Sequence, residues 1–313
     1  MTKLSFSLDV KRELCKVNVK LHEIERSEAY GMLLFCHPFS PDEIRFRTDS
    51  GCAAERFSRF TAEVTQSGVQ TARTLTARKN NAVSYKTNVV DEADCRRIFE
   101  MFGHDADSSS LRINMANIEF EPCAAAFLRG AFLTCGHISS PEIEYRLDFS
   151  TVYKNLSEDL CRVIRETTEL AGGKAASPKI SNRRGSYVVY LKDCEDVADL
   201  LTLMGAGSAS MEVMQVRIQK SIDNEMTRKI NFQLANTDKS LSAAARQIKA
   251  IKLLEEQGEL EKLSEELQFA AKLRLEHPTA SLKELTEVAQ PAISKSGLNH
   301  RLNKLTELAG GVS

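Results

Sequence analysis

The stretch AAFLRGAFLTCG, Ala125 to Gly136, decides the fold. It is apolar on most sides, carries a glycine in its middle and ends on another. That pattern predicts a short helix buried nearly all round, with Gly130 letting a second backbone come close. A second copy, SEAYGMLLFCH, runs from Ser27 to His37, and its Gly31 stands 99 residues before Gly130. EIRFR at Glu43–Arg47 matches EIEYR at Glu142–Arg146 at the same offset of 99, and Tyr85, Asp91 and Gly103 match Tyr187, Asp193 and Gly205 at an offset of 102. Offsets that hold over several elements mark an internal duplication.

A chain of 313 residues is long for one compact unit, so two domains are expected. The 42% hydrophobic content is enough for real cores. With 42 Lys and Arg against 43 Asp and Glu the net charge is −1, so any basic surface must be local. No apolar run has the length of a membrane span, and MTKLSFSLDVKREL is an amphipathic start rather than a signal peptide. Both features point to a cytoplasmic protein. The eight cysteines include no C-x-x-C pair, which excludes a zinc ribbon or thioredoxin-like motif and leaves free thiols as the expected state. No Ser-His-Asp order, P-loop or dinucleotide fingerprint occurs.

Along the chain, Ser7 to Ile24 has the spacing of a leading helix. The first repeat then gives the Gly31 helix, a turn at Pro38–Pro41, the strand EIRFR, a helix over Ala53–Val64, a hairpin of Thr71–Ala77 and Ala82–Thr87 around Lys79–Asn81, and a helix from Val89 to Phe102 started by Asp91 and stopped by Gly103. Leu111–Met115 could add a strand. The second repeat gives the Gly130 helix, a turn, the strand EIEYRLDF, a helix over Val152–Leu170, strands at Ala176–Ile180 and Ser186–Leu191 around Asn182–Gly185, and a helix over Asp193–Met204. Each unit reads as helix, two strands, helix, two strands, helix. The strands of both units would form a sheet face, with the glycine helices packed together. Beyond Gly207 helix formers dominate, with Asn236, Thr237 and Asp238 as a capping cluster before a helix over Ser240–Leu254, and Gly258 marks a hinge within Glu255–Glu259.

The last segment predicts a helix over Glu259–Glu276 ended by His277-Pro278, a short helix begun by the capping box Ser281…Glu284, and a third helix capped by Ser294. Leu282, Leu285, Val288 and Ala289 would be buried on the short helix, and Leu298, Leu302 and Leu305 on the third. Helix, short turn, helix with a basic outer face is the helix-turn-helix arrangement. Lys295, Asn299 and Arg301 carry side chains that bond base edges, while Ser294, Ser296 and Lys304 suit phosphates. The competing interpretation is a solvated face on a small bundle.

The duplicated unit resembles the LAGLIDADG homing endonucleases, in which each of two paired motif helices ends in a carboxylate that holds a divalent metal. Here Cys36 and Cys135 stand where those acids belong. Thiolate is a poor ligand for a hard cation, so nuclease chemistry is not expected. Cys36 and His37 with Cys135 and His137 raise a zinc site as a minor possibility beside small buried cysteines at a tight helix crossing. Asn182-Arg183-Arg184-Gly185, with Lys174 and Lys179, is a basic cluster best explained as a solvated hairpin tip.

SFSLDVKREL, AAFLRGAFLTCGHIS, YVVYLKD (Tyr187–Asp193), NEMTRKINFQLANTDKSLSAAARQ (Asn224–Gln247) and SLKELTEVAQPAISKSGLNHRLNKL (Ser281–Leu305) span nearly the whole length of the chain. On these stretches the chain resembles the WhiA family of bacterial DNA-binding regulators. The resemblance implies an α+β protein: a duplicated, degenerate LAGLIDADG-like αββαββα domain followed by an all-α helix-turn-helix domain. The expected division is an N-terminal helix at 1–22, the duplicated domain at 23–220 with repeats at about 27–103 and 121–205, a helical linker at 221–258 and the helix-turn-helix domain at 259–313. The resemblance also implies a role in transcription control, cell division, chromosome segregation and, in sporulating species, sporulation. Double-stranded DNA is the expected partner, contacted through Ser281, Lys283, Ser294, Lys295, Ser296, Asn299, His300, Arg301, Asn303 and Lys304. No cofactor, catalytic residue or membrane contact is expected, and the chain would act at the nucleoid. The rival functions are an interaction protein that binds a sigma-type or division-related partner through the duplicated domain, and a metal-dependent endonuclease using other acids.

Overall fold

The computed structural model describes residues 5–64, 71–77, 83–105, 110–172 and 174–310. The chain divides into two compact units, Met1–Lys220 and Ser221–Ser313.

The first unit is built on two helices, α2 (His22–Leu34) and α5 (Glu121–Cys135). A Cβ added to Gly31 would lie 2.1 Å from the Phe127 carbonyl oxygen, and one added to Gly130 would lie 2.1 Å from the Glu28 carbonyl oxygen. The two contacts are reciprocal under the offset of 99, since Glu28 and Phe127 are themselves 99 apart. Backbone touches backbone at both points, and only glycine leaves room for that. Around this pair lie α1 (Phe6–Leu14), α3 (Gly51–Val64), α4 (Glu92–Met101), α6 (Lys154–Leu170) and α7 (Cys194–Met204). Asp91 caps α4 through the Ala93 N–H, and Asp193 caps α7 through the N–H groups of Glu195 and Asp196. Gly103 (φ +73°) and Gly205 (φ +99°) follow these helices in the left-handed region, as their place after each helix predicts.

The strands β1 (Arg45–Thr48), β2 (Thr71–Ala77) and β3 (Val83–Val89) form one antiparallel sheet in the order β1-β3-β2. A second sheet joins β4 (Gly136–Ile138), β5 (Leu147–Thr151), β6 (Lys179–Arg183) and β7 (Ser186–Leu191) in the order β4-β5-β7-β6. The single shared sheet expected from the sequence is thus two sheets among the described residues, one per repeat. The second repeat has the full αββαββα order. In the first, the strand corresponding to β4 is reduced to an isolated bridge between Phe39 and Ile44.

Several local readings need correction. The leading helix stops at Leu14 rather than continuing to Ile24. EIEYR is not the structural counterpart of EIRFR: Ile44 is fully buried, whereas Ile143 lies in a turn and is 81% exposed. The counterpart of β1 is β5, because Thr48 pairs with Tyr85 and Thr151 with Tyr187, which sets the true offset here at 103. Leu111–Met115 forms no strand; a 3₁₀ turn follows at Met115–Asn117. β6 begins three residues later than the start expected at Ala176 and runs through Arg183, since Arg184 (φ +50°) and Gly185 (φ +83°) make a two-residue hairpin turn. The hairpin tip at Lys79–Asn81 lies outside the described residues.

α8 (Gly207–Glu256) is one continuous helix of 50 residues, so Asn236–Asp238 lies inside a helix instead of capping one. The second unit packs the end of α8 with α9 (Glu265–Glu276), α10 (Leu282–Val288) and α11 (Lys295–Gly310). Ile251 and Leu254 share a core with Ala270, Ala271, Leu285, Leu298, Leu302 and Leu305. Gly258 (φ +67°) therefore makes a turn within one core, not a hinge between bodies. The helix expected from Glu259 starts at Glu265, after a 3₁₀ turn at Leu260–Lys262.

Candidate nucleic-acid interface

Helix α10 forms because Ser281 closes a capping box. Its Oγ accepts the Glu284 N–H at 3.3 Å, and the Glu284 carboxylate accepts the Ser281 N–H at 2.7 Å. These bonds hold the Glu284 carboxyl below its usual range. Leu285 and Ala289 are buried as expected, but Val288 is 51% exposed and leaves the predicted apolar face. The turn from 290 to 293 leads to Ser294, whose Oγ accepts the Gly297 N–H at 3.1 Å and so starts α11. Arg274, itself buried, fixes the approach to α10: it donates to Gln247 Oε1 of α8 at 3.0 Å and to the Ala280 carbonyl at 2.6 Å.

Leu298, Leu302 and Leu305 are fully buried, which orients α11 about its axis. At about 100° per residue, the direction opposite that stripe belongs to Ser296, His300 and Asn303, with Asn299 and Lys304 on its flanks. Ser294, Lys295, Ser296, His300, Asn303 and Lys304 are exposed and Asn299 is half-buried. Lys283, on the neighbouring α10, is exposed and forms an ion pair with Glu287 at 3.9 Å. Arg301 is the one site residue turned elsewhere. It sits on the side of α11 that meets α9, with its side chain 26% exposed and bonded to the Glu266 carboxylate at 2.8 Å. It lines a hollow of about 370 Å³ with Phe269, Pro291 and Ile293. Sequence spacing placed Arg301 within the helix but could not reveal a carboxylate from another helix.

Metal-dependent cleavage would need acids at the ends of the glycine-helix pair, where Cys36 and Cys135 stand. Burial pushes the Cys36 thiol well above the ordinary range and the Cys135 thiol to about 12. Cys36 donates to the Met32 carbonyl at 3.3 Å. Beside Cys135 stands Lys11, whose ammonium donates to the Leu133 carbonyl at 3.3 Å. Burial lowers the Lys11 pKa, while Cys135 and Asp49 act to raise it. Protonated thiols and a lysine do not fit a hard divalent cation, which requires oxygen anions. Nor do the four residues gather as a zinc site, because His37 and His137 are exposed whereas Cys36 is buried. No group of three or more His, Cys, Asp or Glu side chains is arranged to hold a metal among the described residues.

A charge cluster that sequence reasoning missed occupies the same helix pair. Glu28 is fully buried and accepts from Arg56 Nε at 2.6 Å and from Arg129 Nη2 at 2.7 Å. The guanidiniums also donate to the carbonyls of Cys15, Val17 and Met204, at 3.0, 2.9 and 3.0 Å. The available signal was a charged residue inside each apolar motif helix, Glu28 in one and Arg129 in the other. The residues of the basic cluster at Asn182–Gly185 are exposed around the β6–β7 turn.

Comparison with known proteins adds to this geometry. Residues 226–309 match the family model described as the WhiA C-terminal HTH domain, and residues 124–223 match the WhiA LAGLIDADG-like domain. A probable cell division protein WhiA from Ruminiclostridium cellulolyticum is 34% identical over 98% of this chain and 97% of its own length. The protein of the same description from Clostridium perfringens is 33% identical over 98% of each. The crystal structure of full-length WhiA from Thermatoga maritima aligns over 98% of both chains with a TM-score of 0.57 at 21% identity, a likeness of fold. The chain is thus an α+β protein with a LAGLIDADG-like domain followed by a helical helix-turn-helix domain.

Proposed function

Because the chain belongs to the WhiA family, we propose that it is a non-enzymatic, double-stranded-DNA-binding regulator of transcription, acting at the nucleoid on cell division, chromosome segregation and, in sporulating species, sporulation. The carrying observation is the doubly capped α10–turn–α11 unit, whose buried leucine stripe leaves Lys295, Ser296, Asn299, His300, Asn303 and Lys304 facing outward. A helix so oriented enters the major groove by its N-terminal half. Lys295, Asn299 and His300 then meet base edges. Ser281, Ser294, Ser296, Lys283 and Lys304 meet phosphates, helped by the free N–H groups at the starts of α10 and α11.

Arg301 must exchange Glu266 for a base or phosphate before it contributes. Its replacement by alanine should cost specific binding about 1 kcal/mol, the low end for a base-reading arginine. The front domain serves as scaffold: neutral thiols and Lys11 stand where a metal-dependent nuclease needs carboxylates.

Genome-wide occupancy mapping with the full chain tests the reading. Wild type should enrich discrete sites, and Asn299→Ala combined with His300→Ala should erase them while the protein level stays constant. Unchanged peaks in the double variant would reject α11 as the reading helix. Durable nicking of plasmid with Mg²⁺ or Mn²⁺ would reject the non-enzymatic assignment.

A further inference from the structure

Among the described residues of the first unit, α1, the end of β1 and the start of β4 enclose a cavity of about 330 Å³. Small-molecule sites begin at about 300 Å³. Lys11 of α1, Arg47 of β1 and His137 of β4 all line it, and Asp49 is the one acid of the lining. Lys11 is half-buried, and its ammonium donates to the Leu133 carbonyl at 3.3 Å. That bond uses one of its three protons. Ser7 is buried, and its Oγ accepts the Ile138 N–H at 3.3 Å, which leaves the hydroxyl proton for another acceptor. Ser5, the residue before α1, does not cap the helix with its side chain. Arg47 is exposed and stands directly opposite Lys86 in the β1–β3 register. Like charges so placed repel, and an anion lying between them relieves the cost. We propose that this cavity binds the terminal phosphate of a small phosphomonoester, with Lys11 and Arg47 as its counter-charges and Ser7 and His137 as further donors.

Charge and access select this class of ligand. A terminal phosphate carries about −1.5 to −2 charge at pH 7 and offers three acceptor oxygens. Two cationic side chains against one carboxylate favour it over an anion of single charge. Burial works against the Lys11 charge while Cys135 and Asp49 support it, and a dianion in the cavity would support it further. A half-buried ammonium is reached by a group that projects from its carrier. The phosphates of a duplex are diesters of single charge, each flanked by its own chain, and suit the open face of α11. The site also reaches beyond itself. Ser7 and Lys11 stand on the same helix as Glu13, whose carboxylate accepts the Ser208 and Ala209 N–H groups at 2.6 and 3.0 Å and so caps α8. An occupied cavity would steady the helix that makes this cap.

The test titrates the full chain by calorimetry with inorganic phosphate and with glycerol 3-phosphate, using glycerol as the blank, and locates the site by amide hydrogen exchange. Both phosphates should bind with one equivalent per chain and glycerol should not. The amides of the first turn of α1 and of β4 should gain protection. Arg47→Ala, at an exposed position, should weaken binding at least about tenfold, the scale of one charge-assisted bond. Lys11→Met should abolish it, with thermal melting checking the fold; if that variant does not fold, Arg47→Ala decides. Absence of binding at millimolar phosphate, or binding that Arg47→Ala leaves intact, would overturn the proposal. Protection of the same amides by an unphosphorylated duplex, and by neither phosphate, would assign the cavity to the DNA backbone and overturn it as well.

Discussion

The two halves of the duplicated unit share one backbone contact and differ in the side chains beside it. Gly31 meets the Phe127 carbonyl and Gly130 meets the Glu28 carbonyl, so the backbone crossing is symmetric. The side chains beside it are not. Glu28 on α2 corresponds by position to Phe127 on α5, and Arg129 on α5 to Tyr30 on α2. One helix therefore brings the carboxylate and the other a guanidinium, and the buried ion pair forms across the pseudo-symmetry axis. The edge strands diverge as well: the second repeat has β4, and the first has a single bridge. A duplication keeps what close backbone approach enforces, because any added atom collides there. Elsewhere either copy can change when its own surroundings compensate.

This contrast can be broken from either side. Glu28→Gln should have the largest effect. It leaves two buried guanidiniums without their counter-charge, and urea unfolding of the full chain should show about 3–5 kcal/mol lost from the first transition. The full chain has two units, so its transitions must be resolved separately. Gly31→Ala and Gly130→Ala come next, each costing about 3 kcal/mol through overpacking against backbone. The sharper point is that their costs should agree, since the contacts are reciprocal; a cost at one site only would show the crossing to be asymmetric. The smallest effect separates the lookalike pentapeptides. Ile44→Val should cost about 1 kcal/mol from the buried site, while Ile143→Val should stay within about 0.5 kcal/mol. Equal losses at the two sites would restore EIRFR and EIEYR as true counterparts.

Legibility followed the range of the interactions. The glycine helices, the caps at Asp91, Ser281 and Ser294, and the leucine stripe of α11 were readable because each depends on neighbours a few residues away. Readings failed where a distant partner intervened. Val288 had helical spacing for burial, yet the core closes over Leu285 and Ala289 without it. Asn236–Asp238 had the composition of a cap, but α8 runs through it. Arg301 was legible as a basic residue of the reading helix; Glu266 on α9, 35 residues earlier, was not.

By itself, then, the sequence determined a doubled α+β domain centred on two glycine helices and a capped helix pair with a basic outer face, since periodicity, capping and absent Cβ atoms act locally. Tertiary structure alone decided that the described strands form two sheets, that Glu28 is shared by Arg56 and Arg129, and that Lys11 stands beside Cys135. Those outcomes depend on which side chains meet across long stretches of chain, and burial makes such encounters costly unless every charge and polar group finds its partner.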